Sequence, residues 1–186
     1  MPDEVTRLAL AAKAGDRSAA TAFIAATSAD VRRFLGHLAD PGELDDLSQE
    51  TYLRAMGALA RFDARASART WLLAIARRVA ADQVRSAMRR PRQSPAPDWA
   101  DVPHTRDVVT FVDEGVVLRR LLEDLPSPFR EAFVATQVLG LSYAQAAEVC
   151  DCPVGTIRSR VARARDELIA ALAEPRGDER TDRAAH

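Results

Sequence analysis

Between Leu141 and Arg165 the chain reads LSYAQAAEVCDCPVGTIRSRVARAR, and this run leaves little choice of local fold. Gly140 suits a left-handed helix cap, and Ser142 followed by Gln145 three residues later is a capping-box pattern, so a helix is predicted from Ser142. Ala146, Ala147 and Val149 give it a small apolar face. Asp151-Cys152-Pro153 breaks that pattern, and a second helix is predicted near Pro153, a residue suited to a first helical position. On it Val154, Ile157, Val161, Ala164 and Leu168 recur at three- and four-residue spacing, the buried stripe of an amphipathic helix. Arg158, Ser159 and Arg163 then point elsewhere. A charged helix face is often merely solvated, but a capped partner helix and a tight turn in front of it favour a helix-turn-helix. The second helix of such a motif enters the major groove, where Arg pairs bidentately with guanine and Ser bonds several base edges.

Charge along the chain agrees with a nucleic-acid partner once it is resolved by segment. The net charge of −1 hides a segment, residues 61–92, with nine basic and two acidic side chains, followed by residues 93–151 with four and ten. Basic blocks attract phosphate, and acidic ones limit indiscriminate binding. Of the 26 basic residues only Lys13 is a lysine, so each single arginine carries little weight by itself. The two cysteines, Cys150 and Cys152, are too close for an ordinary disulfide and have no neighbouring ligands for a metal, so both read as structural. His37, His104 and His186 are isolated, and Gly155 is a lone glycine. With no nucleophile constellation, metal cluster or phosphate-binding loop, neither an enzyme nor a cofactor is expected. No long apolar run marks a membrane span or signal peptide, and a cytoplasmic protein is expected.

The remaining periodicity is helical throughout. Leu8 to Ala12, Ala19 to Ala26, Val31 to Leu38, Leu44 to Met56, Ala68 to Met88, Gly115 to Leu125 and Pro128 to Leu139 all show it, and no segment alternates as a half-buried strand would. The fold class is all-α, in two small helical domains. Between Arg90 and Asp113 the pattern gives way to Pro91, Pro95, Pro97 and Pro103 among scattered acids, a composition unable to bury much. Residues 1–90 and 113–173 are therefore expected to be domains, 91–112 a flexible linker and 174–186 a disordered tail. The acids of 93–151 are also placed to fold back over the basic blocks of the free chain.

Two further segments carry chemistry. In DLSQETYLRAM, residues 46–56, a helix places Asp46, Gln49, Glu50, Leu53 and Met56 on adjoining faces. These mixed side chains suit either a protein partner or a solvated face over a core of Leu44, Leu47 and Leu53. In RFDARASARTWLLAIARRVAADQVRSAMRR, residues 61–90, a loop of small and cationic residues from Arg61 to Arg69 leads into a long helix. Its apolar side is Trp71, Leu72, Ile75 and Val79, and Arg78, Asp82, Arg85 and Arg89 line another. Such a loop admits a single-stranded backbone and can grip an extruded base. Trp71, beside Leu72 and Leu73, reads as core rather than as a stacking platform.

Taken together these three segments resemble the extracytoplasmic-function class of bacterial RNA polymerase sigma factors over residues 5–172, and the central segment is similar in wording to the actinobacterial sigma C group. The resemblance implies a promoter-specificity factor that binds core polymerase, reads the minus-ten and minus-thirty-five elements and promotes strand opening. Asp46, Gln49, Glu50, Tyr52 and Met56 match positions that dock on the β′ coiled coil, with the β subunit a further contact. Arg61, Arg65, Arg69, Arg78, Asp82 and Arg85 match the loop and helix at the minus-ten element, which meet duplex and melted non-template strand. Thr156, Arg158, Ser159, Ala162 and Arg163 match the recognition helix at the minus-thirty-five element, Ala162 being small where relatives carry larger side chains. The linker, with Asp98, Asp101 and Asp107, matches the segment threaded toward the polymerase cleft, and an anti-sigma factor is a candidate partner. The rival reading is a conventional two-domain helix-turn-helix regulator, which would footprint duplex DNA alone at paired half-sites.

Overall fold

The computed structural model of the protein describes residues 2–89 and 114–173, and every regular element among them is helical. The first half is built from α1 (Glu4–Lys13), α2 (Arg17–Leu35), α3 (Leu44–Ala58) and α4 (Ala68–Arg89). The second half holds α5 (Glu114–Glu123), α6 (Ser127–Phe133), α7 (Tyr143–Cys150) and α8 (Val154–Ala173). The 91–112 linker and the 174–186 tail lie outside the described residues, as do Asp98, Asp101 and Asp107.

Local chemistry explains where the helices begin. Asp3 caps α1 by accepting the Thr6 N–H at 2.9 Å, and Asp16 caps α2 by accepting those of Ser18 and Ala19. Each supplies one of the acceptors that the first turn lacks. Gly15, at φ +100°, makes the bend between the two helices. α2, α3 and α4 then enclose a core in which Phe23, Val31, Phe34, Leu35, Leu72, Leu73 and Val79 are all but inaccessible. Replacing a ring such as Phe34 with alanine costs about 3–5 kcal/mol in such a setting. Buried hydroxyls inside this core are satisfied locally: Thr27 donates to the Phe23 carbonyl at 2.8 Å and Thr51 to that of Leu47 at 2.7 Å.

In the second half α6 runs into a single π turn, Val134–Val138, before Gly140 reverses the chain at φ +68°. Both arms of the expected capping box form, Gln145 N–H to Ser142 Oγ at 3.2 Å and Ser142 N–H to Gln145 Oε1 at 2.9 Å. Asp151 ends α7 in the left-handed region, φ 51°, a conformation its short polar side chain tolerates. α8 starts one residue after Pro153 and buries Ile157, Val161, Ala164 and Leu168 against α6 and α7. Val154, expected in that stripe, is instead 37% exposed at the first residue of α8.

The two halves are in contact. α4 packs on α7, and Arg77 of α4 meets Glu131 of α6 with Nε 2.6 Å from Oε2, their side chains only 23% and 11% exposed. Ser127 holds the other carboxylate oxygen at 3.0 Å. Glu131 is one of the acids of 93–151 expected to fold back over the basic block, and residues 93–113 of that segment lie outside the described residues.

Candidate polymerase and promoter interface

Three surfaces can be built from the residues upward. On α3, Asp46 and Gln49 are exposed, and Glu50 is held by Arg54 one turn on, at 2.7 Å. With Glu43, Leu47, Leu53 and Gln83 they line a groove of about 370 Å³. Leu53 belongs to this surface and not to the core: it is 63% exposed, whereas Leu47 is buried. Helical spacing alone places Leu53 equally well on either apolar edge. Tyr52 and Met56 stand apart from this groove, half-buried against the core. Tyr52 Oη lies 2.8 Å from Thr27 Oγ1, and burial pushes its phenol above the ordinary value, so it ties α3 to α2.

The second surface is the loop before α4. A 3-10 turn at Leu59–Arg61 shortens the loop, and Ala64 takes φ 55°, unusual for a residue with a side chain. Asp63 supports that conformation, accepting the Arg65 N–H at 3.2 Å. α1 braces both ends of the loop, since Lys13 donates to the Phe62 carbonyl at 2.8 Å and the Ala68 N–H to Thr6 Oγ1 at 2.9 Å. Arg61 and Arg65 are exposed on this frame. Beside them Arg65, Ala66, Thr70, Trp71, Ala74 and Glu148 line a cavity of about 320 Å³. Trp71 packs its ring 4.9 Å from that of Phe62, so it is part of the core and part of the cavity wall at once.

Arg69 does not lie on the loop. It is on the first turn of α4, where its Nε is 2.5 Å from Asp30 Oδ2 and its Nη2 donates to the Leu139 carbonyl at 2.9 Å. The guanidinium therefore joins α2 to the end of the π turn, and a role on the melted strand requires those bonds to break. Further along α4, Arg78 is exposed, while Asp82 bonds Arg54 at 2.6 Å and also Arg85. Those two guanidiniums, Arg54 first, hold the Asp82 carboxyl below its ordinary range. Asp82 thus orients two cations on neighbouring helices instead of standing free.

The third surface is α8. Arg158, Ser159, Ala162 and Arg163 are exposed on one side of it, and Thr156 is half-buried in the first turn. Arg158 and Arg163 have no ion pair among the described residues, and Ser159 Oγ donates to the Thr156 carbonyl at 2.9 Å. Arg160 turns inward, its Nη1 3.6 Å from Cys152 Sγ. Both thiols are free, and burial pushes that of Cys150 up to about 12, which keeps it protonated and inert. Among the described residues no helix is long and apolar enough to cross a membrane, and no group of acids, histidines and cysteines could hold a metal ion.

Comparison with known proteins follows the same partition. The family model "Sigma-70 region 2" matches residues 23–90, and "Sigma-70, region 4" matches residues 116–168. The chain is 54% identical over 175 residues, 93% of each protein, to the probable RNA polymerase sigma-C factor of Mycobacterium bovis. Its fold matches the structure of CnrH in complex with the cytosolic domain of CnrY at a TM-score of 0.70, with 24% identity over 91% of this chain and 97% of that one. It also matches the sigma factor RpoE of Bartonella quintana, solved with the anti-sigma factor NepR, at a TM-score of 0.63 and 26% identity over 82% of this chain and 96% of that one. Two sigma regions on one all-helical chain, and identity on this scale across almost its whole length, make it a member of the extracytoplasmic-function RNA polymerase sigma factors, of the sigma-C type.

Proposed function

We propose that this sigma factor works through the three surfaces in sequence. The α3 groove, with Asp46, Gln49, Glu50 and exposed Leu53, docks on the β′ coiled coil of core polymerase, Tyr52 and Met56 acting from behind by setting the helix in place. α8 lays Arg158, Ser159, Ala162 and Arg163 into the major groove of the minus-thirty-five element, Thr156 and the helix start lying near phosphate, while the second half also touches the β subunit. The loop at Arg61 and Arg65 receives an unstacked base of the non-template minus-ten strand, and Arg78 and Arg85 follow the backbone. Trapping that base offsets an unstacking cost of about a few kcal/mol. The polymerase does the bond chemistry in the cytoplasm, with residues 1–90 and 113–173 as the two readers joined by the 91–112 linker.

The single observation that carries this reading is the pairing of an arginine face, free of ion pairs among the described residues, on a capped helix-turn-helix with a braced cationic loop in the other half. An operator-binding regulator has no use for the second feature. The same geometry supports a closed form of the free chain, since Arg77–Glu131 and Arg69–Leu139 span the halves and Glu148 stands in the wall of the loop cavity. An anti-sigma factor, such as the one bound to the Bartonella quintana relative, would act on that balance.

Run-off transcription with purified core polymerase on a fragmented genomic template library tests the proposal. New starts that share two spaced upstream motifs are expected. Absence of binding to core polymerase, with footprints on duplex DNA alone at paired half-sites, would overturn it in favour of the regulator.

A further inference from the structure

α3 and α4 share more than a core. Gln83 of α4 lines the α3 groove and donates to Glu43 Oε1 at 2.5 Å, so α4 supplies part of the surface proposed to dock on polymerase. The residue before it, Asp82, belongs to a chain of four charges that starts on the same groove. Glu50 Oε1 accepts from Arg54 Nε at 2.7 Å, Arg54 Nη1 donates to Asp82 Oδ2 at 2.6 Å, and Asp82 Oδ1 accepts from Arg85 Nη2. Glu50 lines the groove, and Arg85 is on the helix proposed to meet the minus-ten strand. Arg54 is the link between them.

The link is built to be exchanged. The four side chains are between 42% and 59% exposed, and ion pairs so exposed add little to stability. Arg54 Nη2 makes no hydrogen bond among the described residues, so a further N–H is on hand for Asp82. A carboxylate can take both prongs of one guanidinium fork, which is the strongest geometry open to the pair. The groove itself is acidic, with Glu43, Asp46 and Glu50, so a complementary partner brings cations to it.

We propose that Arg54 is a positioning residue that passes polymerase docking on to Arg85, a role that rests on the docking and minus-ten functions proposed above for α3 and α4. A polymerase cation on Glu50 displaces Arg54 Nε. The freed guanidinium closes on Asp82 with two N–H groups, and Asp82 gives up Arg85. The charge of Arg85 is then available to the phosphates of the opened strand. Before docking, Asp82 keeps that charge neutralised, so the free factor withholds it from nucleic acid.

Permanganate footprinting of unpaired thymines tests this, with the full chain saturating core polymerase on the strongest promoter mapped by run-off transcription. Arg54→Gln leaves Asp82 to Arg85 alone, so opening is expected to fall about fivefold, the scale of one exposed ion pair, with affinity for core polymerase unchanged. Adding Asp82→Asn releases Arg85 and is expected to restore opening, a rescue that a damaged fold does not give. Equal opening by Arg54→Gln and the parent, or no rescue in the double variant, overturns the relay. Weaker binding of Arg54→Gln to core polymerase also overturns it, by placing Arg54 on the docking face itself. Absence of core binding and of any start with the parent sinks the docking role, and the relay with it.

Discussion

The two helices proposed to face DNA in this sigma factor are prepared differently. On α8 the outward-facing Arg158 and Arg163 have no ion pair among the described residues, and the helix is positioned from beneath by Ile157, Val161, Ala164 and Leu168. On α4 three arginines are engaged with the protein itself, Arg69 with Asp30 and Leu139, Arg77 with Glu131, and Arg85 with Asp82, while Arg78 is exposed with no ion pair among the described residues. A duplex reader can be left ready, because duplex DNA carries its phosphates and groove edges at all times. A reader of melted strand, the role proposed for α4, has no ligand until the promoter opens, and Arg69, Arg77 and Arg85 are occupied meanwhile by acids of the same chain.

That contrast can be broken most directly at α8. The pair Arg158→Ala and Arg163→Ala should weaken binding to a minus-thirty-five duplex by about 1–3 kcal/mol for each bidentate arginine–guanine pair removed, or roughly 5- to 150-fold, in an electrophoretic titration at fixed salt. The fold should be unchanged by circular dichroism. Next in size, Glu131→Ala strands the half-buried Arg77 and should cost about 1.5–3 kcal/mol of closure, seen as a larger radius of gyration in solution scattering. Arg69→Ala should open the chain in the same direction, whereas Arg65→Ala, whose side chain is exposed, should leave the radius unchanged and reduce only strand opening. If the two arginines behave alike, the distinction between a guanidinium that spans the halves and one paired only with its near neighbour Asp63, at 2.9 Å, fails.

Smaller still, Ser142→Ala removes one arm of the capping box and should lower stability by about 1 kcal/mol, measured as a shift in the thermal transition. It sharpens the comparison by asking how far α8 depends on α7 for its placement. The smallest effect concerns pH. His37 is depressed by burial and then by Arg119, Arg33 and Arg130, with Glu123 opposing, so its contribution is present above its unfolded value, ~6.5, and is lost as pH falls below it. His37→Gln should flatten that acid limb in a denaturant series, and a limb of unchanged slope would assign it to the carboxylates.

Much of this architecture is legible in the amino-acid order itself. The helices, the Gly140 reversal and the Ser142–Gln145 box follow from local chemistry, where the deciding atoms lie within four residues of one another. Side chains whose partners are distant are not legible. Arg69 reads as a loop cation because its acceptor, Asp30, is 39 residues away, and nothing near Arg77 announces Glu131, 54 residues on. Leu53 and Val154 mislead for a related reason. A helical repeat says that an apolar stripe exists, but which edge of it meets a neighbour depends on where that neighbour crosses. Tyr52, similarly, reads as a surface residue because Thr27, the hydroxyl it meets, stands 25 positions earlier in the chain.

The Ser159 hydroxyl, already donating to the Thr156 carbonyl, translates into base composition. With its proton engaged, that oxygen has only lone pairs to offer. In the major groove the bases that donate are adenine and cytosine through their amino groups, while guanine and thymine present acceptors there. If Ser159 meets a base edge as proposed, promoters read by this factor should favour A or C at that upstream position, so that one internal hydrogen bond of the protein leaves its mark on the alphabet of its regulon.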